Sequence, residues 1–258
     1  KNRQARIKTG EYSLSAAMPP AEIMGILIRG DVMLHKLTIP EGFNMKQTAQ
    51  MVGKSGLASG EAFLRAATCA DFISTLGIQA NTAEGYLFPE TYFFPSSVAA
   101  EEIISAMTER FHAVFTEDWT ARARAMGFSV HEIVTLASII EKETAIAAER
   151  PLIASVFHNR LKKRMRLESD PTVIYGIPDF DGNITRAHLN TFTPYNTYRF
   201  RGLPPGPIAS PGQAALEAAL YPADTAYLYF VSTGRGSHHF STSFTEHKQA
   251  VNKYQLRR

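Results

Sequence analysis

The segment that most restricts the fold of this chain is an apolar stretch, residues 129 to 144, that ends in two glutamates. Ser129 and Glu132 have the spacing of an N-terminal capping box, which predicts that a helix begins there. The aliphatic residues that follow recur at helical spacing and form a stripe that packs against a core. This stripe carries Glu141 and Glu143 into or beside an apolar environment, where a carboxylate is costly unless it is paired or used chemically.

The helical wheel separates the two glutamates. At about 100° per residue, Glu141 and Glu143 lie on opposite edges of the buried arc, roughly 160° apart, so they cannot form a close pair. The neighbours of Glu141 one turn away are small: Ala137, Ser138, Thr144 and Ala145. Apolar walls raise the pKa of a carboxyl, so we predict that Glu141 keeps its proton near neutral pH and acts as an acid, with Ser138 to orient it. The alternative is a structural glutamate bound to an arginine or a helix end.

The bulk composition excludes several classes of function. The 258 residues have a net charge of +3, no glycine-rich phosphate loop and no Cys/His metal spacing, which predicts no cofactor, no metal and no nucleic-acid partner. Cys69 is the single cysteine, so an internal disulfide is impossible. No apolar run approaches the roughly 20 residues of a membrane span. Because the chain lacks a starting methionine, we expect it to be the excised portion of a longer protein, in which any signal or anchor would lie upstream.

The first part of the chain predicts a small α+β unit. Residues 1–30 form a lead-in segment that includes a helix ending at Gly30. A strand from Val32 to Pro40, two short helices and a return strand then predict a βααβ subdomain at 31–90. The aromatic, proline-containing segment that begins at Glu84 is interpreted as a junction between two domains.

Residues 91–258 predict a larger, mainly helical domain with a β-hairpin, so the fold class is α+β. Its expected helices follow Ser97, Arg150, Ser210 and Ser243, and its hairpin turns at Gly234-Arg235-Gly236. Residues 170–200 lack periodicity and predict loops rich in Tyr, Asn, Thr, Asp and Pro. Such residues often satisfy their own turns, but their concentration after a semi-buried glutamate favours a carbohydrate cleft.

Several motifs in fixed order resemble the endolytic murein transglycosylases. The resemblance covers about residues 30 to 255 and rests on the segments Glu141–Thr144, Asp170–Gly176, Tyr195–Tyr198 and Gly202–Gly206, with support from Glu84–Tyr92 and Gly236–Phe240. It implies a bacterial protein anchored by a single helix in the inner membrane, with this portion in the periplasm. It also implies a LysM-like, peptidoglycan-binding role for the βααβ unit. The implied partners are peptidoglycan glycan strands and proteins of cell-wall synthesis.

The implied activity is cleavage of the β-1,4 bond between N-acetylmuramic acid and N-acetylglucosamine, leaving a 1,6-anhydro-muramic end. The catalytic glutamate of the family matches Glu141. The residues expected to line the cleft and bind substrate are Ser138, Glu143, Asp170, Tyr175, Tyr195, Asn196, Tyr198, Pro205, His238 and His239. The doubled His238-His239 leaves open which histidine faces the cleft.

A lytic transglycosylase needs one carboxyl, because the C6 hydroxyl of the sugar attacks its own anomeric carbon. Three alternatives stay open from the sequence. The first is a hydrolase of the same glycan with Asp170 as second carboxylate. The second is a non-catalytic peptidoglycan-binding scaffold, and the third is a cytosolic α+β protein with a structural glutamate.

Overall fold

The computed structural model describes residues 7–96, 98–178, 180–234 and 236–256. Within these residues it has twelve α-helices and two antiparallel two-stranded sheets, which confirms the α+β class. The helices are α1 Pro20–Arg29, α2 Met45–Ser55, α3 Gly60–Ala67, α4 Ala70–Thr75, α5 Ala100–Val114, α6 Glu117–Ala125, α7 Val130–Glu143, α8 Arg150–Lys162, α9 Asp170–Tyr175, α10 Arg186–Asn190, α11 Gln213–Leu220 and α12 Phe244–Val251. The strands are β1 Leu34–Thr38, β2 Thr91–Pro95, β3 Tyr229–Ser232 and β4 His238–Ser241.

The predicted small unit is present as a pair of strands that encloses three helices. β1 pairs with β2 in the register that places Leu34 opposite Pro95, and α2, α3 and the short α4 lie between them in the chain. Val52 of α2 and Phe63 of α3 are fully buried in the apolar core. Because β2 begins at Thr91, the sheet extends past the predicted boundary at residue 90, and the division into domains stays a prediction.

The lead-in segment contains α1, as expected. Gly30 ends this helix with a φ of 75°, a left-handed conformation that glycine adopts without strain. The backbone N–H of Met33 donates to the carbonyl of Glu11, so the lead-in is attached beside β1. Residues 1–6 of the predicted lead-in lie outside the described residues.

Helix α7 is the central element of the larger part. Its Ser129–Glu132 capping box is formed, and every residue from Ile133 to Ile140 is buried. α8 and α11 pack on it, while α6 and α9 contact its two ends. A helix enclosed on all sides in this way is stabilised chiefly by apolar burial, and its direction fixes where its last turn emerges.

Two short helices, α9 and α10, lie where the sequence predicted loops. They were missed because five or six residues are too few to show an apolar period. The predicted cap at Ser210 is also corrected: α11 begins after Gly212 without a side-chain cap. Ser210 is buried instead, and its N–H donates to the carbonyl of Phe43.

The hairpin and the last helix are as predicted. β3 pairs with β4 so that Tyr229 lies opposite Ser241, and Ser243 forms a capping box with Glu246 at the start of α12. Arg235, in the predicted turn, lies outside the described residues. Among the described helices none is by itself long and apolar enough to cross a bilayer, although α6 and α7, joined at a 92° bend, together have that length and composition.

The small unit is attached to the end of α7 through the turn that follows β1. The N–H of Gly42 donates to the carbonyl of Ser210 at 2.9 Å, and the ammonium of Lys142 donates to the carbonyl of Gly42 at 3.1 Å. At the other side of the junction, the Tyr86 hydroxyl lies 2.9 Å from Nδ1 of His131. The two parts therefore meet at both ends of α7 and share one apolar core.

A close backbone approach at Gly85 provides a test of this junction. Gly85 has a φ of 85°, and an added Cβ would lie 2.5 Å from Pro207 and 3.0 Å from Val134. We expect Gly85→Ala to lower the free energy of unfolding by about 3 kcal/mol, since left-handed strain and overpacking add. Gly127→Ala is the matched control, because its φ is 82° but its Cβ meets nothing within 4 Å. Urea denaturation should show a loss of about 1 kcal/mol for the control, and equal losses would contradict the packing argument.

Candidate functional site

The last turn of α7 borders a cavity of about 420 Å³ between the hairpin, α12 and the loop that precedes α9. Its polar lining comes from separate parts of the chain: Glu143, Arg160, Glu168, Asp170, Tyr198 and His238. Glu143 also borders a second, more open depression of about 470 Å³, formed with Glu41, Gly42 and Arg150. The Glu143 side chain thus lies where two surface depressions meet.

The environment of Glu143 favours its protonated form. Burial and, to a lesser extent, the nearby charge of Asp170 raise the pKa of this carboxyl to about 7. The Ser169 hydroxyl donates to Oε1 of Glu143 at 2.5 Å, and this bond together with the charges of His238 and Arg160 opposes the shift. A carboxyl with a pKa near 7 that borders a cavity is suited to donate and accept a proton at neutral pH.

Glu141 is held by an ion pair and a backbone hydrogen bond. Arg150 places its guanidinium 3.3 Å from Oε1 of Glu141, the N–H of Gly212 donates to Oε2 at 3.0 Å, and the Glu141 side chain is 6% exposed. Both carboxylate oxygens of Glu141 therefore already have a partner inside the protein. Glu141 also borders the second, open depression, and its pairing with Arg150 is the structural alternative that the sequence left open.

Glu41 shares the same cation from the other side. Its carboxylate lies 3.8 Å from Arg150, and burial, together with the charge of Glu141, raises its pKa. Arg150 therefore joins the turn after β1 to the last turn of α7. The ion cluster fixes the small unit beside the depression next to Glu143.

The hairpin contributes His238, which is held by a carboxylate. Nδ1 of His238 lies 2.7 Å from Oε2 of Glu149, and the His238 N–H donates to Oε1 at 2.8 Å. Burial would raise the pKa of Glu149, but these hydrogen bonds outweigh it and hold the pKa below its usual value. Nε2 of His238 has no hydrogen bond to a described residue, and the ring lines the cavity beside Glu143.

The alternation of side chains along β4 decides which residue of the His238–His239 pair faces the cavity. Since successive side chains of a strand point to opposite faces, only one of the two histidines can face the cavity. His239 is exposed and its ring packs 5.7 Å from that of Tyr254. His238 is thus the one that faces the cavity, and the expectation that His239 lines the cleft is corrected.

Asp170 and Tyr198 face the cavity as expected. Asp170 is the first residue of α9, and the Tyr198 hydroxyl donates to its Oδ1 at 2.6 Å. Burial and the hydrogen bond to Asp170 raise the pKa of Tyr198, so the phenol keeps its proton. The pair provides one anion and one hydroxyl near Glu143.

Two other predicted site residues are used inside the protein. Ser138 is fully buried, donates to the carbonyl of Thr135 and accepts from the N–H of Ile208. Asn196 is also fully buried, and its amide donates to carbonyls of the preceding loop while its oxygen accepts from Tyr198 N–H. These placements correct the expectation that both residues contact substrate, because their polar groups already have partners.

The remaining predicted residues lie outside the cavity of Glu143. The ring of Tyr175 packs 4.7 Å from that of Tyr195, and its hydroxyl donates to Glu84, whose pKa burial raises to about 7. The carbonyl of Pro205 lies 3.2 Å from Nε2 of His131, at the opposite end of α7. Tyr175, Tyr195 and Pro205 do not line the cavity of Glu143, and their role in lining a cleft and binding substrate stays a prediction. Tyr175 instead borders a groove with Gly42 and Lys142.

Comparison with known proteins identifies the family. The sequence profile described as the YceG-like family matches residues 1–253. The chain belongs to the YceG-like family. A relative from Bacillus subtilis, named endolytic murein transglycosylase, is 43% identical over 172 residues, which are 66% of this chain and 48% of that protein. A Streptococcus pneumoniae protein with the same name is 32% identical over 278 aligned positions, covering 95% of this chain and 50% of the relative.

A solved structure of the family supports the fold. The crystal structure of a YceG-like protein from Listeria monocytogenes superposes with a TM-score of 0.76 at 34% identity. The match covers 96% of this chain and 86% of that one. The chain spans about half the length of the curated relatives that it matches.

Sequence reasoning missed some residues of the site. Glu149 and Arg160 lie outside the motifs. Glu149 contacts His238 and Arg160 lines the cavity, and neither long-range contact can be predicted from the spacing of residues along a helix. Arg160 is buried, and its guanidinium donates to the carbonyls of Leu228 and Leu167, which holds the hairpin against the wall of the cavity. Within the described ranges, no three or more His, Cys, Asp or Glu side chains are grouped to hold a metal ion.

The Glu141–Arg150 pair can be tested by removing one partner. Arg150→Met leaves a buried carboxylate without its cation, so we expect a loss of about 3 kcal/mol in the free energy of unfolding. In the double variant Glu141→Gln/Arg150→Met neither charge is left unpaired, and much of that loss should be recovered. Urea denaturation of the wild type, the single variants Glu141→Gln and Arg150→Met, and the double variant measures the coupling. A double variant no more stable than Arg150→Met would argue against the ion pair.

Proposed function

We propose that this chain contains the catalytic part of an endolytic peptidoglycan lytic transglycosylase, with Glu143 as its single acid and base. The observation that carries the proposal is the Glu143 carboxyl, raised to a pKa of about 7 at the wall of the cavity. The names of the relatives supply the reaction class. Glu141, two residues earlier, is ion-paired and takes a structural role.

In this mechanism Glu143 donates its proton to the oxygen that links N-acetylmuramic acid to N-acetylglucosamine. The bond between that oxygen and the anomeric carbon breaks as the N-acetylglucosamine hydroxyl leaves. The C6 hydroxyl oxygen of the muramic sugar then bonds to the same carbon, and its proton returns to the Glu143 carboxylate. No water is consumed, and the acid is restored at the end of the cycle.

Neighbouring groups support the charge changes of this cycle. Asp170 provides a fixed anion that stabilises positive charge developing on the sugar ring. The Ser169 hydroxyl stabilises Glu143 while it is a carboxylate. His238, fixed by Glu149, presents Nε2 to a sugar hydroxyl or an acetamido group in the cavity.

A hydrolase is the second candidate, because Asp170 borders the same cavity as Glu143. In that case Asp170 activates a water molecule and the product has an ordinary reducing end. An anhydro end is lighter by one water. Mass spectrometry of digested glycan strands therefore separates the two reactions, and we expect the lighter product.

The cellular setting follows from the substrate. Peptidoglycan lies outside the cytoplasm, so we propose an extracytoplasmic location, with anchoring to the inner membrane by a segment outside this chain. We further propose that the β1–α2–α3–α4–β2 unit has the LysM-like role of binding glycan next to the catalytic cavity. The attachment of its turn, Gly42, to Ser210 and Lys142 supports such a placement.

Substitution of each glutamate distinguishes their roles. Glu143→Gln should abolish the release of anhydro-muropeptides, because the amide cannot donate the proton, while the fold and glycan binding persist. Glu141→Gln is the matched control: it should lower stability through the unpaired Arg150 but retain turnover in the folded protein. Anhydro product is measured by chromatography with mass detection, and binding by sedimentation with insoluble peptidoglycan. The assignment of Glu143 as the acid would be refuted if Glu143→Gln still released anhydro product. It would also be refuted if Glu141→Gln were folded and inactive while Glu143→Gln stayed active.

The pH profile provides an independent test of Glu143. Since the acid must be protonated, kcat/KM should fall as pH rises through about 7. Ser169→Ala removes a donor to the carboxylate and should move this decline to higher pH, whereas Asp170→Asn removes a repelling charge and should move it to lower pH.

The raised pKa of Glu143 also affects folding stability. This carboxyl ionises near pH 4.5 in the unfolded chain but keeps its proton up to about pH 7 in the folded chain, so the free energy of unfolding should decline as pH rises from about 4.5 to about 7. Glu143→Gln should lack this component of the decline, and unchanged profiles in all variants would exclude Glu143.

A further inference from the structure

A second pocket, of about 310 Å³, adjoins the cavity of Glu143. Tyr198 and Glu168 line both spaces, so the two are neighbours on one surface. Three arginines converge on this second pocket: Arg166, Arg186 and Arg199. We call it the arginine pocket.

The three guanidinium groups come from separate parts of the fold. Arg166 lies in the loop after α8, Arg186 begins α10, and Arg199 follows the Tyr195–Tyr198 motif. All three arginines are solvent-exposed, and an anion bound in the pocket would be attracted by their combined positive charge.

No described residue neutralises these arginines. None of their guanidinium groups donates a hydrogen bond to a described residue or lies within 4 Å of a described carboxylate. The acidic residue described in the lining, Glu168, is 3.5 Å from Arg160 instead. The pocket is thus lined by exposed arginines, whose planar guanidinium groups can each donate two hydrogen bonds to a carboxylate.

We propose that the arginine pocket binds a carboxylate of the stem peptide carried by the muramic sugar, so that the preferred substrate is a peptide-bearing glycan strand. The inference rests on the proposed function for the substrate. The stem peptide is joined to the muramic sugar, whose anomeric carbon reacts at Glu143, and it contains free carboxylates. A peptide leaving the cavity past Tyr198 and Glu168 reaches the adjoining arginines.

The test uses two matched triple variants and two substrates. Arg166→Gln/Arg186→Gln/Arg199→Gln removes the pocket's charge, and Arg29→Gln/Arg65→Gln/Arg124→Gln removes the same charge from exposed arginines elsewhere. The substrates are glycan strands with their stem peptides and strands stripped of peptide by an amidase. For the pocket variant we expect KM on peptide-bearing strands to rise about tenfold, as three half-exposed ion pairs together allow. Its kcat, and its kinetics on stripped strands, should stay near the wild-type values.

A binding measurement keeps this proposal separate from the proposed function. In a Glu143→Gln background, the pocket substitutions should weaken binding of peptide-bearing strands and not of stripped strands, and added salt should reduce the difference. The peptide assignment would be overturned if the pocket substitutions left the binding of peptide-bearing strands unchanged, or if they weakened the binding of stripped strands equally. It would also be overturned if the control triple variant lost as much binding as the pocket variant. Failure of the wild-type chain to cleave either substrate would refute the proposed function, while the binding comparison would still decide the role of the pocket.

Discussion

The complete burial of α7 is the constraint on which the rest of this structure depends. Its residues from Ile133 to Ile140 are inaccessible to solvent, with α8 and α11 packed against it. A helix so enclosed cannot rotate or slide without opening cavities, which cost several kcal/mol for each large side chain. The position of its last turn is therefore fixed, and with it the positions of Glu141 and Glu143.

Two carboxyls two residues apart acquire opposite properties because they leave this turn in different directions. Glu141 meets Arg150 and the N–H of Gly212, which favour its anion. Glu143 borders the cavity that Asp170 also lines, and its burial and the like charge of Asp170 favour the protonated form. The two side chains therefore differ in their partners: Glu141 is ion-paired, whereas Glu143 accepts from the Ser169 hydroxyl.

The same turn also connects the two parts of the chain. Lys142, between the glutamates, donates to the carbonyl of Gly42, and Arg150 contacts Glu41 of the same turn. The small unit is thus attached beside the depression that Glu143 borders, through residues next to that glutamate. We infer that a glycan held by the small unit would pass next to Glu143, since one depression is bordered by Gly42 and Glu143 together.

The sequence by itself determined the elements whose signals are local. The capping boxes at Ser129 and Ser243, the helix stop at Gly30 and the hairpin depend on residues close together in the chain, and all are present. The small unit has its predicted pair of strands, but three helices instead of two lie between them, because the six-residue α4 is too short to show an apolar period. It also placed two glutamates at the edges of the α7 stripe and the motif around Asp170 near them. It did not reveal α9 and α10, which are too short for a period to appear.

Only the tertiary structure decided which glutamate has the environment of an acid. The helical wheel gives a direction around the axis, but the charge state depends on the groups that other segments bring to each carboxyl. Arg150 reaches Glu141 from nine residues away in the chain, Ser169 reaches Glu143 from twenty-six, and Gly212 and His238 come from more distant loops and strands. Long-range packing of this kind leaves no periodic trace in the sequence, so a residue expected to bind substrate became the candidate acid.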